Sequence, residues 1–240
     1  MTIPALILAR GGSKGIPGKN LKEVGGQTLL AHCVSVATAS RLSPVFVWSD
    51  SPDIRAEGTR MGAKCPPRDG RFATDTITSE ESVAAFLEEH DPGEKWKAVA
   101  LLQCTTPFLT TKALDLCVEK FEEGGRDAVI TVVDATQRYL GYPQRGNGGS
   151  EFVPMRPYRA LRQEEAMSMY MENGGCYLAK RELWVSGRRM GRNNGVVVMP
   201  WWDGLEIDEK DDLEVARVLA PLRRVSKTTA VRFIDTEVRP

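Results

Sequence analysis

Leu8 to Asn20 reads LARGGSKGIPGKN, and it follows directly on the apolar residues Ile3, Ala5, Leu6, Ile7 and Leu8. A short unbroken apolar run reads as a buried strand, so the glycine-rich stretch becomes the loop at that strand's carboxyl end. Gly11, Gly12, Gly15 and Gly18 let backbone N–H groups turn inward, and Arg10, Lys14 and Lys19 supply positive charge. That combination suits a polyphosphate; the competing reading is a basic surface turn. The loop is not a Walker A motif. Placing Gly18-Lys19 on its Gly-Lys puts Ser13 at the first glycine and Asn20 at the Ser/Thr, and the glycines do not fit G-x-G-x-x-G either.

Outward from this loop, apolar spacing predicts a helix over Thr28 to Ser40 and a strand, VFVWSD, ending at Asp50. Further helices are expected from Pro52, across Ser79 to Glu89 and across Thr111 to Glu123, with strands at Ala98 to Leu102 and Ala128 to Val133. Such alternation predicts an α/β fold: a mostly parallel sheet sandwiched by helices, with ligands bound beyond the carboxyl ends of the strands. The glycine loop, Asp50 and Gln103 all fall at such ends. Between Asp134 and Tyr158 the alternation fails, in a Gly- and Pro-rich stretch too long for a usual connection. It is either disordered or an excursion packed against a second copy. Regular structure returns with strands at Gly174 to Lys180 and Val196 to Pro200, then a helix over Lys210 to Leu219. The expected division is one domain over residues 1–222 and a tail over 223–240, with a possible strand at Ala230 to Ile234.

The chain has 240 residues, and its 32 basic side chains balance its 32 acidic ones. Net charge therefore implies neither a nucleic-acid partner nor an anionic membrane surface. No apolar stretch reaches the length of a membrane span and no signal-peptide pattern opens the chain, so the expectation is a soluble, cytoplasmic protein. The five cysteines are scattered and never form C-x-x-C, and only His32 and His90 are available. A disulfide framework, a zinc site and a His-rich metal site are all disfavoured.

A polyphosphate site calls for Mg²⁺, which takes one or two carboxylates with phosphate oxygens and water. Glu206 and Asp208 lie two apart. If LEID continues as a strand, both project to one face; otherwise Asp208 caps the last helix. The segment CPPRDGRFATDTITSEES holds Arg68, Arg71, Asp75, Thr78 and Ser79, which either close over a nucleotide or form an ordinary loop with a helix cap. Gln103, at the end of LLQ, has an amide able to read a base edge or to satisfy backbone groups. Arg162, Gln163, Glu164, Glu165 and Asn173 suit a polar, anionic second substrate, or else a solvated helix. Trp201-Trp202 suits stacking on a ligand, or packing.

The chain resembles the cytidylyltransferase family of CMP-sialic acid and CMP-3-deoxy-manno-octulosonate synthetases, from about Ile3 to Leu219. LARGGSKGIPGKN looks like the family's CTP-phosphate signature. VWSD, the Arg68 to Ser79 segment, LLQCTTPFLT, ENGGCYL and EID follow in the family's order. The resemblance implies a Rossmann-like nucleotidyltransferase fold, usually dimeric, whose dimerisation excursion would be 134–158. It implies that Leu8, Ala9, Arg10, Gly11, Gly12, Ser13, Lys19, Asn20, Arg68, Ser79 and Gln103 surround CTP. Arg10, Lys19 and Asp208 would carry the chemistry, Glu206 and Asp208 would hold Mg²⁺, and Gln103, Arg162, Gln163 and Asn173 would lie near a small acidic acceptor, a nonulosonate-type sugar acid. Three positions depart from the pattern. Glu206 stands where Asp is usual, Leu161-Arg162-Gln163 stands for Arg-Arg-Gln, and Met171-Glu172 removes an arginine held near the acceptor. The alternatives are a CTP-dependent phosphonate cytidylyltransferase and a nucleotide-binding protein without turnover.

Overall fold

The computed structural model describes residues 1–135, 141–146, 149–154, 169–225 and 231–236. Strand β1 (Ala5–Leu8) enters the glycine loop, and a small ribbon of β2 (Glu23–Val24) and β3 (Gln27–Thr28) leads into α1 (Leu29–Thr38). Then come β4 (Val45–Trp48), α2 (Pro52–Arg60), α3 (Ser79–His90), β5 (Ala98–Leu102), α4 (Thr111–Glu122) and β6 (Ala128–Asp134). A hairpin of β7 (Gly141–Gly146) and β8 (Gly149–Pro154) precedes β9 (Tyr170–Lys180), α5 (Arg181–Val185), β10 (Asn194–Met199), α6 (Lys210–Val225) and β11 (Arg232–Thr236).

The starts of α1 to α4 have local causes. The Thr28 hydroxyl accepts from the Ala31 N–H at 3.0 Å, and Ser51 caps α2 ahead of Pro52. Thr78 and Glu81 form a capping box on α3, and Thr110 caps α4. The β4 and β5 residues are all buried, as an unbroken apolar run buried on both faces requires.

Seven strands form the main sheet in the order β11-β10-β6-β9-β5-β1-β4. β4, β1, β5, β6 and β10 point the same way. The parallel pattern is broken at two places: β9 runs antiparallel between β5 and β6, and β11 runs antiparallel on β10. Helices α1, α2, α4 and α6 cover one face, where Leu29, Ile54, Leu114 and Leu213 pack over Ile7, Leu102 and Leu178. Helices α3 and α5 cover the other, with Phe86, Leu87, Leu183 and Trp184 over Leu6, Trp48, Leu101 and Tyr177. The result is the α/β sandwich expected from the alternation.

Two secondary-structure readings change. The stretch 205–208 is not a strand: Ile207 makes one backbone bond, to the Thr105 carbonyl at 2.8 Å, and the chain then turns into α6. The helix expected to end at Leu219 runs on to Val225, and β11 adds an edge to the sheet, so the segment read as a tail from 223 is partly built into the domain. Val231 and Phe233 explain this, since both pack against the core on the α4 face. Within 134–158, β7 and β8 pair with each other and with no strand of the main sheet among the described residues.

Candidate nucleotide site

β9 carries the irregularity that shapes the site. Its register with β6 slips between Ile130, paired with Tyr177, and Val132, paired with Glu172. Asn173, Gly174 and Gly175 fill the slip. The Asn173 side chain is buried and holds it: Oδ1 accepts from the Thr131 hydroxyl at 2.7 Å and the Gly175 N–H at 3.1 Å. Thr106 Oγ1 donates to the Asn173 carbonyl at 2.6 Å. Gly174 has φ +66°, and a Cβ there would stand 2.4 Å from Gln103 Oε1 and 2.5 Å from Glu206 Oε1. Only glycine suits a left-handed position against which two polar side chains converge.

The strand ends bring the other groups together. The Gly11 N–H donates to Asp50 Oδ1 at 2.9 Å, fixing the glycine loop to the end of β4. Gly15 passes so close to the Asp208 carbonyl that a Cβ would lie 2.8 Å from it. The Asn20 amide donates to the Arg10 carbonyl at 3.1 Å. Lys19, with 15% of its side chain exposed, donates to the Ile207 carbonyl at 2.9 Å and meets Asp208 Oδ1 at 3.2 Å. Arg10 and Lys14 share Asp75, at 2.5 and 2.8 Å.

Leu8, Arg10, Ser13, Lys19, Asn20, Gln103, Glu206 and Asp208 line one cleft of about 240 Å³. A second of about 240 Å³ adjoins it through Leu8 and Arg10 and is lined by Arg68 and Ser79. Most of the expected nucleotide set thus converges. Ala9 is fully buried beneath the loop, Gly12 lies exposed on it, and Asn173 supports the floor. Arg162 and Gln163 lie outside the described residues. Thr105, which lines the first cleft and donates to Glu206 Oε1 at 3.4 Å, escaped the sequence reading. Its only signal is its place two residues past Gln103.

Two charges are held against their surroundings. Arg68 is buried, stacks 5.1 Å from the Trp48 ring and donates to Ser82 Oγ at 2.7 Å and to the Phe72 carbonyl. Among the described residues its Nε has no hydrogen-bond partner, and burial lowers the guanidinium to about 10, with Asp50 opposing that shift. A buried cation with a spare donor suits an anion. Glu206 is held above the ordinary carboxylate range by burial and then by the charge of Asp208. The helix cap is supplied elsewhere: Asp212 accepts from the N–H groups of Asp208 and Glu209 at 3.0 and 2.9 Å, leaving the Asp208 side chain to the cleft.

A sequence model of the family described as cytidylyltransferase matches residues 4–144. N-acylneuraminate cytidylyltransferase A of Danio rerio is 31% identical over 216 residues, 89% of this chain and 50% of that protein. N-acylneuraminate cytidylyltransferase of Streptococcus agalactiae serotype V is 22% identical over 211 residues, 86% of this chain and 50% of that protein. The chain spans about half the length of these curated relatives. The structure of CMP:2-keto-3-deoxy-manno-octonic acid synthetase complexed with CTP superposes with a TM-score of 0.69 at 15% identity, covering 92% of this chain and 99% of that one. For 4-diphosphocytidyl-2C-methyl-D-erythritol synthase from Anaerococcus prevotii the TM-score is 0.61 at 14% identity, covering 92% and 96%. By the match over 4–144, which takes in the glycine loop, Arg68, Ser79 and Gln103, this chain belongs to the cytidylyltransferase family.

Proposed function

We propose that the protein transfers CMP from CTP to an acidic acceptor of the nonulosonate sugar-acid type. An acceptor oxygen attacks the α-phosphorus, the bond to the oxygen bridging the α- and β-phosphates breaks, and pyrophosphate leaves with that electron pair. The observation that carries the reading is the single cleft in which Arg10, Lys19 and Asn20 face Gln103, Glu206 and Asp208. The family and the names of its relatives support it.

Each residue has a physical task. Arg10, Ser13, Lys19 and the Gly12 N–H bind the triphosphate, the Gly11 N–H being held by Asp50, and Lys19 offsets charge on the departing pyrophosphate. Arg68 and Ser79 take the adjoining part of the nucleotide, and the Gln103 amide orients it. Glu206 and Asp208 suit Mg²⁺: two carboxylates meet at one cleft wall, where burial and the charge of Asp208 disfavour the Glu206 anion more than Thr105 and Lys19 favour it. The ion would supply charge neutralisation on the phosphates. In this reading Arg162, Gln163 and Asn173 belong to the acceptor side, Asn173 through the floor it holds. The protein is a cytoplasmic homodimer with 134–158 as its excursion; five free thiols support a reducing compartment.

The test is pyrophosphate release from each of the four nucleoside triphosphates with Mg²⁺, against sialic acids, related keto-deoxy sugar acids and small phosphonates. Release with CTP and a sugar acid is expected. Release with a phosphonate alone would replace the acceptor, and silence across the panel would sink turnover. Asp208→Ala is expected to remove the Mg²⁺ response; a normal response would take the acidic pair out of the metal site.

A further inference from the structure

Gln103 follows β5, whose antiparallel neighbour β9 has Glu172 as its single acidic side chain, near enough to Glu206 of the cleft for the two charges to repel. Glu172 is exposed and lies two residues before Gly174, the position left open for Gln103 and Glu206. Its Oε2 accepts a 3.0 Å hydrogen bond from the Tyr177 hydroxyl. Tyr177 is buried, and the Arg189 guanidinium covers its ring at 4.7 Å from the centroid. Arg189 is itself paired at 2.5 Å with Glu80, in the first turn of α3 beside Ser79 of the nucleotide cleft.

Charge in this chain of contacts is unevenly matched. Glu80 neutralises Arg189, whereas Glu172 has no cation within ion-pair distance among the described residues. Its one hydrogen bond comes from a neutral hydroxyl, which fixes the carboxylate and leaves most of its lone pairs free. A fixed, exposed carboxylate with no ion-pair partner among the described residues, two residues from the Gly174 that Gln103 and Glu206 close on, favours a charged donor, because charge-assisted hydrogen bonds are roughly twice as strong as neutral ones.

We propose that Glu172 sets acceptor specificity by binding a protonated amine on the acceptor, and that Tyr177 is the residue that positions it. The assignment rests on the cytidylyl-transfer reading above and narrows its acceptor to an amino-substituted sugar acid, distinct from one whose amine is acylated.

The experiment measures pyrophosphate release with CTP, Mg²⁺ and a matched pair of 2-keto-3-deoxy sugar acids, one with a free amine and one with that amine N-acetylated. The wild type is expected to favour the free amine by about tenfold in kcat/KM. Glu172→Gln keeps the shape and removes the charge; the preference should vanish while the KM for CTP holds. Tyr177→Phe should raise the KM for the amine acceptor about threefold, with kcat and the KM for CTP unmoved. A preference for the N-acetyl form, or one that survives Glu172→Gln, overturns the assignment while leaving CMP transfer standing. CTP-dependent release with no acceptor of any class overturns the transfer reading, and this assignment with it.

Discussion

The two ends of the main sheet match charge to different degrees. At the amino ends of the parallel strands, charged groups close on one another. Arg181 meets Asp91 at 2.7 Å with side chains 13% and 3% exposed, and Asp91 also accepts from the N–H groups of Lys95 and Trp96. Lys180 meets Asp127 at 2.7 Å, and that bond, with N–H groups of Asn193 and Arg192, holds Asp127 below the usual carboxylate range. At the carboxyl ends Arg10, Lys14 and Lys19 are also paired, but among the described residues Arg68 Nε has no hydrogen bond and Glu206 has one long one. A cavity of about 1140 Å³ nevertheless lies at the amino ends, lined by Met1, Phe121, Lys180 and Arg181, against about 240 Å³ for each site cleft. Among the described residues, buried polar atoms without hydrogen bonds occur at both ends, His90 Nε2 at the amino ends as well as Arg68 Nε at the carboxyl ends. The convergence of cations, amides and carboxylates on one cleft, rather than volume, therefore sets the carboxyl ends apart.

The sharpest way to break this contrast is Asp91→Ala. Removing one member of a buried pair should lower stability by ~3–5 kcal/mol while the KM for CTP holds. Urea unfolding checks it, and a small loss would mean that the amino ends are no better sealed than the site. At the opposite end Lys19→Ala should reduce kcat by about 10²–10³-fold, the scale for removing a donor aimed at developing charge. Because Lys19 also anchors the Ile207 carbonyl, a stability loss of ~1 kcal/mol should accompany it. An unchanged rate would remove Lys19 from the reaction.

Gly174→Ala probes the bulge between the two ends. A left-handed residue with a Cβ costs ~1–2 kcal/mol, and displacement of Gln103 and Glu206 should lower kcat by about tenfold. Comparing unfolding midpoints with initial rates separates the two effects, and full activity would show that the floor yields without harm. The smallest effect expected is from Asp75→Asn. Asp75 occupies Arg10 and Lys14 with the kind of charge a triphosphate would bring, so its loss should tighten tripolyphosphate binding about threefold. Hydrogen bonds from Lys14 and Arg10 hold the Asp75 carboxyl below the usual carboxylate range, so its charge is present at neutral pH and lost as pH falls through that lowered value. The difference between variant and wild type should fade over the same interval. Calorimetric titration would reveal weaker binding by the variant if Asp75 instead helps to build the site.

Much of this contrast was legible in the sequence because it rests on local signals. The apolar runs of β1, β4 and β5, the threonine and serine caps and the glycines after β1 each report their own surroundings, and together they locate the carboxyl-end site. What escaped depends on residues far apart in the chain. Nothing in GGCYLAK distinguishes a parallel strand from one inserted antiparallel between β5 and β6. The role of Asn173 follows from that insertion, since its side chain is claimed by Thr131 across the slipped register. The two-residue spacing of Glu206 and Asp208 invited a strand, but a one-bond contact to Thr105 and an immediate turn into α6 replaced it. Glu172 read as a missing cation, and its partner Tyr177 came into view only across the bulge.

The position of β9 also orders the chain's assembly in time. β4, β1 and β5 come from neighbouring stretches of sequence and can pair as soon as they have been synthesised, whereas β5 meets β6 only through a strand that emerges much later. Until then β5 presents an open edge, the surface most prone to pairing with another chain. Gly174 arrives with β9 and Glu206 later still. The nascent chain therefore passes its stage of greatest aggregation risk before the proposed nucleotide cleft is complete, so in that reading substrate would not act as a folding aid at the step where one would help most.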